Sequence, residues 1–134
     1  MSHLHWEPSL DTDIDSIDTQ HRRIVDYINQ LHDAIAHHER AAVGQTLDQL
    51  IDYTITHFIF EERLMEEAGY VHLAAHKAVH ESFKSGVTSY KRRFDNGEDI
   101  AKQLRSGLCV WLIDHIKRED GAYVDVVKTH LDSD

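Results

Sequence analysis

Cysteine and proline are each nearly absent from this chain, and both absences limit the structures open to it. The single cysteine, Cys109, excludes an internal disulfide, and so little cysteine is typical of a reducing compartment. The single proline, Pro8, leaves the rest of the chain free of the strongest helix breaker. Strand signals are also poor, because β-branched residues are scattered and do not alternate. The pattern favours an all-α protein.

Long hydrophobic runs and excess positive charge are missing as well. No apolar run approaches the roughly 20 residues that span a bilayer, so we expect no membrane insertion. Lys and Arg number 14 against 24 Asp and Glu, and the formal net charge of −10 argues against a nucleic-acid partner. The N-terminus lacks the basic and apolar regions of a signal peptide, and we expect a cytoplasmic protein.

The chain does have four stretches in which apolar residues recur every three or four positions, as on one face of a helix. Short connections between such helices favour an up-down-up-down four-helix bundle. Residues 1–134 would form one domain, with an N-terminal arm before the bundle and a short C-terminal helical tail after it. The predicted helices cover roughly residues 17–38, 42–65, 71–94 and 98–119.

Several residues predict where these helices begin, end or meet. Asp15-Ser16 offers candidate N-caps for the first helix. Gly69 suits the end of the second helix, and Asp95-Asn96-Gly97 is a strong turn signal after the third. Gly86 and Gly107 lie inside predicted helices, where we expect them to allow a close approach between helices.

Ionisable side chains occupy the apolar faces of these helices, where burial costs several kcal/mol unless the group is paired or binds metal. One buried histidine is usually a hydrogen-bonded core residue. Five of the 12 histidines on the faces of four helices, together with one glutamate, instead favour a shared metal site. These six residues are His21, His57, Glu61, His76, His80 and His115.

Spacing and topology support the same site. The pairs His57–Glu61 and His76–His80 are each four residues apart, so each pair points to one side of its helix. His21 lies near the start of the first helix, and His115 lies near the end of the fourth. In an up-down-up-down bundle all of these positions fall at one end. We therefore expect the six side chains to meet at one depth in the core.

Asp120 is a seventh candidate whose spacing leaves two interpretations open. It follows His115 by five residues, so it reaches the site only if the helix departs from ideal geometry there; otherwise it is a solvated acid at a helix end. Seven ligands are too many for one tetrahedral zinc, and five imidazoles are too nitrogen-rich for calcium or magnesium. Two octahedral ions offer about twelve positions; five histidines, two bridging carboxylates and one bridging oxygen would fill about eleven and leave about one open for a small ligand.

The motifs carrying these residues resemble the hemerythrin family, its bacterial single-domain members most closely. The resemblance extends from Trp6 to about Tyr123. Its motifs are Ile17-Asp18-Thr19-Gln20-His21, His57-Phe58-Ile59-Phe60-Glu61-Glu62, His76-Lys77-Ala78-Val79-His80, and Trp111-Leu112-Ile113-Asp114-His115-Ile116 with Asp120.

The resemblance implies a role for each ligand. His76, His80 and His115 would hold one iron. His21 and His57 would hold a second iron that keeps the open position. Glu61 and Asp120 would bridge the two irons together with an oxo or hydroxo group. The oxygen pocket would be formed by Ile24, Phe58, Trp111 and Ile116, for which ordinary core packing is the alternative.

The function that the resemblance implies is reversible binding of molecular oxygen, for transport, storage or delivery. Three alternatives stay open. The first is an enzyme acting on oxygen, peroxide or nitric oxide, although oxygen-activating di-iron bundles are usually richer in carboxylates. Weak oxidase or peroxidase activity also remains compatible with a binder. The second is an oxygen or redox sensor, which would need a separate signalling partner. The third is a helical module that holds zinc or no metal.

Overall fold

The computed structural model of the chain describes residues 4–117 and 121–132, and over these residues all regular structure is helical. A 3₁₀ turn at Pro8–Leu10 lies in an N-terminal arm, and five α-helices follow it. The helices are α1 (Asp15–Ala36), α2 (Arg40–Ala68), α3 (Leu73–Asp95), α4 (Ala101–His115) and α5 (Gly121–Asp132).

The first four helices form a closed ring of neighbours. Each packs against the helix that follows it in the chain, and α4 returns to pack against α1. This is the up-down-up-down four-helix bundle that the short connections predicted. The fifth helix, α5, lies against α2. The start of α1, the end of α2, the start of α3 and the end of α4 therefore share one end of the bundle.

Two apolar clusters hold this arrangement together. The larger one runs through the bundle between the four helices. The smaller one joins Ile14 and Ile17 at the start of α1 to Met65 near the end of α2 and to Tyr123 and Val127 of α5. The tail helix is thus fixed over the end of the bundle at which the ligand candidates meet. None of the helices in the described ranges is long and apolar enough to cross a membrane.

The start of α1 differs from the prediction. The helix begins at Asp15 with Ile14 as its N-cap, so the prediction that Asp15 or Ser16 caps it is wrong. Asp18 instead reaches back from the first turn and accepts hydrogen bonds from the backbone N–H of Thr12 at 2.9 Å and of Asp13 at 3.2 Å. The carboxylate of Asp18 satisfies donors that the arm would otherwise leave unpaired, which fixes the arm against the helix.

Two predicted helix ends are confirmed. Gly69 follows α2 in the left-handed region at φ 73°, and its N–H donates to the carbonyl of Glu66 at 3.1 Å. The helix α3 ends at Asp95, and Gly97 follows in a positive-φ conformation at 100°. Glycine suits both positions because a side chain disfavours this conformation.

The two glycines inside helices do not do what was predicted. A Cβ atom built on Gly86 or on Gly107 would meet no atom within 4 Å, so neither glycine marks a close approach between helices. Both instead line a mainly apolar groove of about 270 Å³ between α3 and α4. Phe83 and Trp111 also line this groove.

Candidate metal centre

Four helices each contribute to one buried cluster of imidazoles around a single carboxylate. Every member is at most 4 % exposed, although all carry polar or ionisable groups. The potential ligand atoms fall into two groups, each with its atoms within 4.8 Å of one another, and Glu61 belongs to both. One group contains His21, His57 and Glu61, and the other contains Glu61, His76, His80 and His115.

The two oxygens of Glu61 face different histidines. Its Oε2 atom lies 3.2 Å from Nε2 of His57 and 3.5 Å from Nε2 of His21. Its Oε1 atom lies 3.1 Å from Nε2 of His80 and 3.5 Å from Nε2 of His76. The carboxylate therefore stands between the two groups with one oxygen directed to each.

A hydrogen bond outside the cluster sets which nitrogen of His80 faces inward. Its Nδ1 atom lies 2.7 Å from Oε2 of Glu62, and since an ionised carboxylate can only accept, Nδ1 donates. In neutral His80 the Nε2 atom then carries a lone pair. That atom lies 3.1 Å from the Glu61 Oε1 acceptor and 3.2 Å from Nε2 of His115. A cation among these atoms would remove the repulsion between facing lone pairs.

The same arrangement recurs on the other side of Glu61. The Nδ1 atom of His57 lies 2.5 Å from the side-chain oxygen Oε1 of Gln20, which can only accept. Neutral His57 therefore presents its Nε2 lone pair inward, 3.2 Å from Oε2 of Glu61. Metal-binding histidines characteristically donate the outer nitrogen in this way, which leaves the inner nitrogen as the ligand.

Glu61 is ionised despite its complete burial. Burial acts to raise its pKa, but the electrostatic interaction with His57 and polar contacts with His21, His57 and His76 outweigh that effect, so the pKa lies well below the usual value. A metal cation would lower the pKa of this carboxylate in the same way, because a nearby positive charge favours the ionised form. The Oε1 atom is buried without a hydrogen bond among the described residues, as expected for an atom that ligates a cation. The donor set therefore fits a metal site.

Aromatic rings enclose the group of three histidines. The ring of Phe58 stacks on His80 at a centroid distance of 3.8 Å, and the ring of Trp111 stacks on His115 at 4.5 Å. Phe58 and Trp111 also contact each other at 5.7 Å. Ile24 and Ile116 are buried in the same large cluster as Phe58. All four residues predicted for a ligand pocket thus belong to one apolar region of the bundle. Phe58 and Trp111 also contact candidate ligands.

Asp120, the seventh candidate ligand, lies outside the described residues. The backbone before it does depart from α geometry, because residues 116 and 117 adopt a π-helical turn. A departure after His115 is the condition under which an acid five residues later could face the site.

Three contacts of the cluster were not predicted from the sequence. Gln20 and Glu62 hold the outer nitrogens of His57 and His80, and the hydroxyl of Tyr123 donates to Oε2 of Glu61 at 2.8 Å. Gln20 and Glu62 are adjacent in sequence to the candidate ligands His21 and Glu61, and this adjacency was the only sequence feature that pointed to them. Their partners lie on other helices, so helical spacing could not reveal the pairing.

Comparisons with known proteins agree with this fold and site. Residues 12–127 match the family model described as the hemerythrin HHE cation binding domain. The chain is 53 % identical over 131 residues to a bacteriohemerythrin of Stenotrophomonas maltophilia, covering 98 % of this chain and 86 % of that protein. It is 48 % identical to a bacteriohemerythrin of Pseudomonas aeruginosa, covering 96 % of this chain and 84 % of that protein.

A solved structure is similar over nearly the whole chain. The crystal structure of a wild-type hemerythrin superimposes with a TM-score of 0.89 at 32 % identity, covering 94 % of this chain and 98 % of that one. Fold and site together define a helical-bundle protein with a buried histidine and glutamate cluster suited to metal. The chain belongs to the hemerythrin family, a kind of iron- and oxygen-binding protein.

Proposed function

We propose that this protein binds molecular oxygen reversibly at a centre of two iron ions. The observation that carries the proposal is the shared carboxylate, since Glu61 directs one oxygen to each of two groups of buried imidazoles. A carboxylate between two nitrogen-rich groups is suited to bridging two cations. His21 and His57 would hold one iron, and the three remaining histidines would hold the other.

Iron accounts for the donor set better than the common alternatives. Calcium and magnesium prefer oxygen ligands, and a structural zinc site takes four ligands in a closed tetrahedron. Imidazoles with a carboxylate suit iron, and a histidine-poor, carboxylate-rich set is typical of di-iron bundles that activate oxygen. Two irons bridged by an oxo or hydroxo group would supply a redox-active pair with one open coordination position. We therefore propose binding rather than enzymatic turnover.

The chain's own residues would protect such a centre. Phe58 and Trp111 cover the imidazoles of His80 and His115, and with Ile24 and Ile116 they belong to one apolar cluster that would exclude water from the centre. Exclusion of water limits proton access and side reactions at a reactive centre. Gln20 and Glu62 would keep the inner nitrogens of their histidines free to ligate.

Asp120 is proposed as the second bridging carboxylate. The support is the family resemblance together with the π-helical turn at residues 116 and 117, which changes the direction in which later residues of the chain point. The ligand of the protein would be oxygen itself, and no nucleic acid or membrane is invoked. With one cysteine in the sequence, we propose the cytoplasm as its place of work.

Counting metal in matched variants tests the proposed ligands. The protein would be loaded anaerobically with Fe(II), separated from free metal and assayed for iron per chain. We expect two irons in the wild type and in the exposed-histidine control His72→Ala, and at most one in His57→Ala. Fewer than two irons in the wild type, or two in His57→Ala, would contradict the ligand assignment.

A further inference from the structure

Tyr123 of the tail helix reaches the centre of the candidate site although no motif assigned it there. Its side chain is completely buried, and its hydroxyl donates a hydrogen bond of 2.8 Å to Oε2 of Glu61. Its ring also lies 5.6 Å from the ring of His76. One side chain of α5 is therefore in contact with the carboxylate that both groups of histidines share.

The packing of α5 on α2 fixes this hydroxyl in position. Glu61 and Met65 are four residues apart on α2, and Tyr123 and Val127 are four residues apart on α5, so each pair faces one side of its helix. All four side chains are completely buried, and Met65, Tyr123 and Val127 share one apolar cluster. The packing of Met65 against the tail helix fixes the position of α5 along α2, and thereby the point at which the Tyr123 hydroxyl meets the Glu61 carboxylate.

The hydrogen bond from Tyr123 to Oε2 fixes the orientation of the Glu61 carboxylate, which the glutamate side chain alone does not determine. The terminal torsion of a glutamate is broad, so a carboxylate rotates easily unless neighbours hold it. Here one oxygen must face His57 and His21 while the other faces His80 and His76. A donor fixed at Oε2 holds the plane of the carboxylate in the orientation that serves both groups.

We propose that Tyr123 is a positioning residue for the metal centre, which orients the bridging carboxylate of Glu61 through its hydroxyl. The inference rests on the proposed metal site and adds α5 to the elements that build it. The tail helix α5 is then part of the metal-binding site, because it supplies the hydroxyl that holds the Glu61 carboxylate in place.

The test compares two substitutions that each remove one hydroxyl from the same apolar cluster. Tyr123→Phe deletes the donor to Glu61 and keeps the ring. Tyr70→Phe is the matched control, since Tyr70 packs in that cluster with its ring centroid 6.3 Å from that of Tyr123. Co(II) is the probe, because it binds nitrogen and oxygen ligands, gives a visible spectrum and allows affinity to be measured against a competing chelator without oxygen chemistry.

We expect Tyr123→Phe to weaken Co(II) binding roughly 10- to 100-fold and to change the visible spectrum of the bound metal, as loss of a group that orients a ligand does. Tyr70→Phe should keep wild-type affinity and spectrum. Thermal unfolding of the metal-free variants, followed by circular dichroism, separates this effect from packing, because both substitutions should lower the midpoint to a similar, small extent.

Unchanged affinity and spectrum in Tyr123→Phe, or an equal loss in both variants, would overturn the positioning role. Failure of the proposed oxygen function looks different, because it would appear only when oxygen is admitted to the iron-loaded wild type. A wild-type chain that binds no Co(II) at all would overturn the metal site and the role of Tyr123 together.

Discussion

The Nδ1 atom of His80 lies 2.7 Å from the Oε2 atom of Glu62, and this bond determines that the other nitrogen of the imidazole faces Glu61. His80 is completely buried, whereas Glu62 is half-buried at the edge of the site. The carboxylate therefore links the solvent-facing side of α2 to the interior, and it fixes both the tautomer and the ring orientation of a proposed ligand.

Replacement of Glu62 should weaken metal binding without unfolding the protein. We expect Glu62→Ala to lower the affinity for Fe(II) about 10- to 100-fold, because the His80 ring loses the acceptor that orients it. Anaerobic competition with a chelator measures this. Glu67→Ala removes an exposed glutamate from the same helix and should leave the affinity unchanged. Equal affinities for the two variants would show that Glu62 does not orient the ligand.

Removal of Asp120 tests the second proposed bridge. We expect Asp120→Ala to lose at least one iron per chain or to lower oxygen affinity at least tenfold, because a bridging carboxylate binds both ions at once. Iron assay and optical oxygen titration of the purified variant measure the two effects. If Asp120→Ala keeps two irons and wild-type oxygen affinity, Asp120 is not a bridge and the set of ligands must be revised.

The open space beside Gly86 and Gly107 predicts a gain in stability on substitution. Alanine at either position meets no atom within 4 Å and favours the helix, so each variant should raise the free energy of unfolding by about 0.5–1 kcal/mol. Gly69→Ala should instead lower it by about 1 kcal/mol, since φ is 73° there. Urea unfolding of the metal-free proteins measures all three. A loss of stability in Gly107→Ala would mean that the groove does not exist in solution.

The lone cysteine should react slowly in the folded protein. Burial raises the pKa of Cys109, and the nearby charge of Arg105 offsets this only in part. A raised pKa leaves less thiolate at a given pH, so alkylation by iodoacetamide at neutral pH should be several-fold slower in the folded chain than in urea. The pH at which the alkylation rate rises should also be higher for the folded chain than for the chain unfolded in urea. Equal pH profiles in the two states would contradict the shift.

Much of the candidate site was predictable because helical periodicity and bundle topology are both properties of the sequence. His57 and Glu61 share a helix face through their four-residue spacing, and the order of short-linked helices brings His21 and His115 to the same end. The end of α2 at Gly69 was predictable for a similarly local reason, since glycine tolerates the left-handed conformation that ends the helix.

The contacts that were missed depend on how separate helices are rotated and placed. Tyr123 lies on α5, beyond the π-helical turn at residues 116 and 117, so its helical phase relative to His115 could not be extended from the bundle. Gln20 bonds a histidine 37 residues away on another helix, which no spacing rule connects. Gly86 was misread because a small residue inside a helix is equally compatible with a close contact and with open space, and only the neighbouring helix decides.

The most direct test of the central claim is a cycle of oxygen exposure followed by absorption spectroscopy. The protein is loaded anaerobically with two Fe(II) per chain, oxygen is admitted and then withdrawn, and zinc-loaded protein serves as the control. The proposed function predicts a visible band that appears with oxygen, fades on its removal and returns over repeated cycles, with no band in the zinc form. Irons that oxidise at once to a stable form, with no reversible band, would contradict it and indicate an enzyme or a redox sensor.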